Sequence, residues 1–216
     1  MPAIDIALLT ASFVTFFVVI DPIGVAPIFA GLTEGSTAAH RRKMAIKSIL
    51  IATVVLLAFA YGGEWLLGAL HISLDAFRAA GGVLLFLLAL DMIFEKRTER
   101  REERAEKLAE EEVADPGSHE DISVFPMAIP MLAGPGAIAS IMLFMSGDGG
   151  TLIGQATILA GLAVNLIVCL ILFLAVGPLM RIMGDTLAAM ITRILGVILA
   201  ALAAQFIFDG ISGALL

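Results

Sequence analysis

Six apolar runs, each about as long as a membrane interior is thick, decide what this chain can become. They cover residues 6 to 31, 45 to 69, 74 to 94, 122 to 145, 151 to 180 and 187 to 208. A helix needs about 20 apolar residues to cross the hydrocarbon core, so each run is a candidate span. Little of the 216 residues remains for a soluble domain. The chain is 60% hydrophobic and 15% charged, against about 45–50% and about 25% for a soluble domain. Lipid is therefore its expected solvent, and the expected fold is an all-α polytopic membrane protein with six membrane-spanning segments.

No Lys or Arg precedes the first run, and Met1 to Asp5 is net acidic. The basic start of a cleavable signal peptide is missing, so the first run reads as a retained span. Of the 13 basic residues, all but Arg78 and Arg193 lie in or beside the connections after spans one, three and five. These are Arg41, Arg42, Lys43 and Lys47, then the group from Lys96 to Lys107, then Arg181. The opposite ends carry none, so the excess of positive charge on cytoplasmic loops puts both termini outside. Tyr61 and Trp65 at the outer end of span two fit headgroup level.

The net charge of −7 comes mainly from one hydrophilic stretch, Glu95 to Asp121. Its mixed charges, such as Glu103 and Lys107 at helical spacing, read as a solvated cytoplasmic helix and linker. A lipid-contacting or regulatory segment is the functional alternative. Cys169, the sole cysteine, lies inside the fifth run and excludes an intrachain disulfide.

An internal repeat organises the spans. Pro22 and Pro27 in the first recur as Pro130 and Pro135 in the fourth, at an offset of 108. Arg78-Ala79-Ala80-Gly81 in the third matches Arg193-Ile194-Leu195-Gly196 in the sixth. The expected organisation is a three-span repeat over 1–94, a charged linker over 95–121 and a second repeat over 122–216. Three is odd, so the repeats are inverted in topology. Secondary transporters recurrently use this plan, with a midplane site where the repeats meet.

The chemistry is expected at the proline breaks. Asp21-Pro22-Ile23-Gly24-Val25-Ala26-Pro27 and Pro130-Met131-Leu132-Ala133-Gly134-Pro135-Gly136 each interrupt an apolar run. Proline removes a backbone donor and clashes with the preceding turn. Irregular backbone at membrane depth must be buried in protein or face a cavity, so the two breaks should face each other. Asp21 before Pro22 has the order of an N-cap and first helical residue, and Gly134 before Pro135 offers a similar start without the charge. Such half-helix N-termini suit an anionic group, which a zwitterionic substrate carries. A simple kink is the structural alternative for each proline, and the matched pair argues against it.

Ionisable groups inside membranes are costly and need partners. Asp21 and Asp91 stand at similar depth and are candidates to carry a coupling ion, although Asp91, close to Glu95, can simply reach the headgroups. Arg78 and Arg193 read as snorkelling residues. Asn165 in mid-span five either joins helices or contacts substrate, and Gln205 is a shallower counterpart. His40, His71 and His119 lie outside the runs, and no HExxH, P-loop or GxSxG motif occurs. No cofactor, metal or nucleic-acid partner is expected.

Asp21-Pro22-Ile23-Gly24 with Pro27 and Phe29, Arg78 to Gly82, and Pro130 through Ile138 reading PMLAGPGAI together resemble the MarC family of bacterial inner-membrane proteins. That family includes small neutral amino acid transporters, and the resemblance covers essentially the whole chain. It implies six spans, a multi-pass protein of the inner membrane, and movement of glycine- or alanine-like substrates coupled to a proton or sodium ion. The expected substrate-contacting residues are Asp21, Gly24, Pro27, Gly134, Pro135, Gly136 and Asn165, with Asp21 and Asp91 for ion coupling. Two other readings stay open at this stage: an intramembrane enzyme using Asp21 and Asp91 as paired carboxylates, and an assembly subunit without transport.

Overall fold

The structure, a computed structural model, describes residues 5–94 and 121–215. Apart from Asp121, the charged linker lies outside the described residues. Helices α1 (Ile6–Ile20), α2 (Pro22–Leu32), α3 (Ala38–Ala69) and α4 (Leu74–Ile93) precede the linker. An irregular segment α5 (Ser123–Leu132), then α6 (Pro135–Gly147), α7 (Leu152–Leu174) and α8 (Val176–Leu215) follow it. Among the described residues there is no β-strand.

Side-chain oxygens start most of these helices. Asp5 accepts from the amides of Ala7 and Leu8, Thr37 from His40, Ser73 from Ala76 and Thr151 from Gly154. Each satisfies an amide that the first helical turn leaves without a partner. At the far end of α3, His71 takes the left-handed conformation (φ 56°), and the Ile72 amide donates back to the Leu67 carbonyl. This closes the helix in the manner usually given to glycine.

Five helical stretches are long and apolar enough to cross a membrane, and the bent pair α5–α6, counted as one broken span, makes a sixth. The six-run expectation holds, with one boundary moved. The turn between the last two spans falls at Ala175 rather than near Arg181, because the helical backbone resumes at Val176 and runs unbroken for 40 residues. At 1.5 Å per residue α8 is about 60 Å long, twice a bilayer interior. Among the described residues, its later part, Ala189–Leu215, is the stretch apolar enough to be the span.

Burial follows helical periodicity. On α7 the inward face carries Gly154, Thr157, Ile158, Gly161, Leu162, Asn165, Leu166, Cys169 and Phe173. Val164, Ile167, Ile171 and Leu174 are exposed. An outward face this apolar fits lipid rather than water. The closest helix pair is α4 with α8, running antiparallel. A Cβ placed on Gly82 would lie 2.9 Å from the Ala203 carbonyl oxygen, on Gly196 3.1 Å from that of Ala89, and on Gly210 2.7 Å from that of Asp75. Lipid tails are as apolar as leucine, so membrane helices associate through this kind of close fit. Helices α1–α2 and α7 run parallel, with Gly161 against Ser12 near one end and Phe29 stacked on Phe173 at 4.5 Å near the other.

The two proline regions interrupt their helices differently. Between α1 and α2 the break is one residue, Asp21, in the left-handed region (φ 57°, ψ 65°), and Pro27 sits inside α2 without ending it. Between α5 and α6 the chain bends by 55°. Within α5, Phe125 and Ile129 are extended, the bonds Phe125–Pro126 and Ile129–Pro130 are cis, and Met127 donates five residues back to Ile122. The physical reason is Pro126: with Pro130 it removes two amides four residues apart, so an ordinary ladder cannot form there.

Candidate functional site

The Asp21 carboxylate is buried and caps α2, accepting from the Gly24 amide at 3.1 Å. The expected cap and the expected Pro22 at the first helical turn are both present. Gly24 is there because a Cβ at that position would fall 2.2 Å from Asp21 Oδ2. From α8, the Thr192 hydroxyl, also buried, donates to Asp21 Oδ1 at 3.3 Å. The α2 end therefore holds the chain's own carboxylate.

At α6 the corresponding place is Gly134, which has no side chain to offer. A Cβ there would lie 2.4 Å from the Pro130 carbonyl oxygen, so the sharp turn admits only glycine. Pro135 opens the helix, and the first ladder bond runs from the Ile138 amide to the Gly134 carbonyl. Among the described residues no side chain caps this end, and the amides of Gly136 and Ala137 precede the ladder. They carry the partial positive charge of a helix start.

The two breaks adjoin each other, as expected of irregular backbone. A Cβ on Gly136 would lie 2.9 Å from Val19 Cγ1 and 2.8 Å from Leu88 Cδ2, and Val19 is two residues before Asp21. Farther along the same antiparallel interface, Phe16 meets Phe144 with ring centroids 5.8 Å apart. Asp21, capping α2 through Gly24, thus joins Thr192, while Gly136 joins the end of α1. Pro27, half-buried, lies in α2, which packs on α7 and α8.

Asn165 is buried and its amide donates to the carbonyl oxygens of Phe13, at 3.0 Å, and Gly161, at 2.9 Å. It joins α7 to α1 at Phe13, eight residues and about 12 Å along the helix from Asp21. Asp91 is half-buried on the last turn of α4. Its neighbour Met92 packs on Gly196, one turn beyond Thr192, so Asp91 stands near the level of Asp21. Arg78 pairs with Asp75 at 3.7 Å and reaches the end of α6 at Gly147, while Arg193 is exposed. Lys47 forms an ion pair with Asp121, which also accepts from the Ser123 hydroxyl. The Lys47 ammonium first, and the Ser123 hydroxyl second, hold the Asp121 carboxyl at about 2.

Sequence reasoning passed over Thr192, Val19, Thr15 and Ser140. A hydroxyl inside an apolar run is an available but weak signal, because such residues commonly bond their own helix.

A family model for MarC family integral membrane proteins matches residues 6–215. A UPF0056 membrane protein of Methanocaldococcus jannaschii is 34% identical over 212 residues, covering 98% of this chain and 100% of that one. YvbG of Bacillus subtilis is 35% identical, covering 93% of this chain and 92% of its own, and YhcE of Escherichia coli 34%, covering 93% and 90%. Both are also named UPF0056 membrane proteins, a name that gives no substrate. No solved structure matches the chain. With the family model spanning nearly every residue and relatives matched from end to end, this chain belongs to the MarC family of integral membrane proteins.

Proposed function

We propose that this chain is a secondary transporter of small neutral amino acids, glycine- or alanine-like, working by alternating access from a site at the paired helix breaks. The observation that carries the reading is the uncapped start of α6, held by Gly136 against Val19 deep among packed helices. Backbone amides there suit a carboxylate without requiring a fixed cation. A zwitterion brings that carboxylate and remains neutral overall. Asp21 and Asp91, near one level, are the groups for a coupling proton or sodium ion. The reading has both termini outside a plasma membrane, which the excess of basic residues on the alternate connections supports, and takes the two breaks as corresponding parts of inverted three-span repeats.

The test is exchange of labelled glycine and alanine by the purified protein in proteoliposomes. Flux above protein-free liposomes is expected, and Gly134→Leu should abolish it because the Pro130 carbonyl already occupies the space a Cβ needs. No flux of any small amino acid with the wild-type protein would sink the substrate assignment.

A further inference from the structure

Four buried side-chain oxygens in the membrane bundle, on Thr15, Ser48, Ser140 and Asn165, have no hydrogen-bond partner among the described residues. Two of them share one interface. Helices α1 and α6 are antiparallel, with Val19 against Gly136 and Phe16 against Phe144. One turn from the Val19–Gly136 contact, that register brings Thr15 on α1 to the level of Ser140 on α6. Both residues are 0% exposed. A buried hydroxyl left unpaired is destabilising, and an interface that needed only packing would be filled more stably by alanine and valine.

We propose that Thr15 Oγ1 and Ser140 Oγ form the subsite for the ammonium group of a small zwitterion whose carboxylate lies on the Gly136 and Ala137 amides. The subsite rests on the transport reading given above. Ser140 is one turn after Gly136 on the same face, about 6 Å along the axis, and its Cα–Cβ bond leans back toward the start of α6. A hydroxyl oxygen offers lone pairs to an ammonium, as helix amides offer hydrogens to a carboxylate. No fixed charge is needed, so a ligand with both groups is favoured over one with either alone. Asp21 is turned elsewhere: its Oδ1 accepts from Gly24 and Thr192, and its Oδ2 overlies the Gly24 Cα. Phe16 and Phe144 close one end of the interface, and Val19, Leu85 and Leu88 crowd Gly136 at the other.

The experiment compares wild-type protein with Thr15→Val, Ser140→Ala and the double variant, all near in volume. Glycine exchange in proteoliposomes and the glycine-induced rise in Tm in detergent are measured with glycolate, which replaces the ammonium by a hydroxyl, as competitor. Each single variant should raise the glycine KM about tenfold, the loss expected for one hydrogen bond to a charged group. The double variant should lose discrimination between glycine and glycolate while keeping its unliganded Tm or gaining. Normal glycine KM and normal selectivity in the double variant would overturn the subsite and leave transport standing. A wild-type Tm rise that the double variant lacks, with no exchange by either, would support the subsite and overturn transport. Absence of both exchange and Tm rise in the wild type would overturn both.

Discussion

Thr192 on α8 donates its hydroxyl hydrogen to Asp21 Oδ1 at 3.3 Å, joining residues 171 positions apart in a fully buried contact. It ties the last span to the one-residue break in the first. Replacing Thr192 by valine keeps the shape and removes the donor. We expect Thr192→Val to lower stability by about 1–3 kcal/mol, read as a fall in Tm in detergent, and Thr192→Ser to restore most of it.

Gly24 lies under the Asp21 carboxylate. A methyl at that position would meet Oδ2 at 2.2 Å, so Gly24→Ala must push the carboxylate off the amide it caps. Helix propensity alone would make alanine stabilising at an interior site. The expected outcome is the reverse, a loss of about 1–2 kcal/mol for the lost cap, measured by thermal unfolding. A stabilised variant would show that Asp21 does not depend on this glycine.

The ion pair between Lys47 and Asp121 gives a pH dependence with a definite sign. The Asp121 carboxyl is held at about 2, below its ordinary 3.8. A depressed carboxyl stabilises the folded state above its unfolded value and loses that contribution as pH falls through the folded one. The pair is partly exposed, so screening limits it to at most about 1 kcal/mol. Lys47→Met should therefore lower Tm by a constant amount from pH 5 upward, with the difference from wild type shrinking between about pH 4 and pH 2 and fading in high salt.

Gly210 meets α4 backbone to backbone. Its added Cβ would lie 2.5 Å from the Ala79 nitrogen and 2.7 Å from the Asp75 carbonyl oxygen, neither of which can swing away. Gly210→Ala should cost about 1–3 kcal/mol as overpacking does. Alanine at Gly68, where nothing stands within 4 Å, should be tolerated in the same unfolding assay.

Span number, helical class and the chemistry of the first break were legible in the sequence because each has a local cause. Apolar run length sets the spans, and Asp21 before Pro22 is a cap before a first-turn proline. The moved turn at Ala175 was not legible, since the apolar run continues past it to residue 180 and hydropathy does not see a turn made by packing. The cap of α2 by Asp21 was legible, because an aspartate before a first-turn proline is a local signal. Thr192, Thr15 and Ser140 became visible only in three dimensions, since their meaning depends on which helix lies opposite. For the same reason Asn165 could be ranked as a deep polar residue, but the Phe13 carbonyl it binds could not be named.

The length of α8 has a mechanical consequence. One unbroken helix holds Asp21 through Thr192 and, 18 residues on, presses Gly210 onto Asp75 and Ala79. Those two grips are about 27 Å apart, close to the thickness of the hydrocarbon core. A stiff rod gripped at both ends cannot tilt at one without displacing the other. Any tilt of α8 that parts Thr192 from the carboxylate therefore strains the Gly210 seam at the other end, so the two ends of the bundle are geared together by a single element.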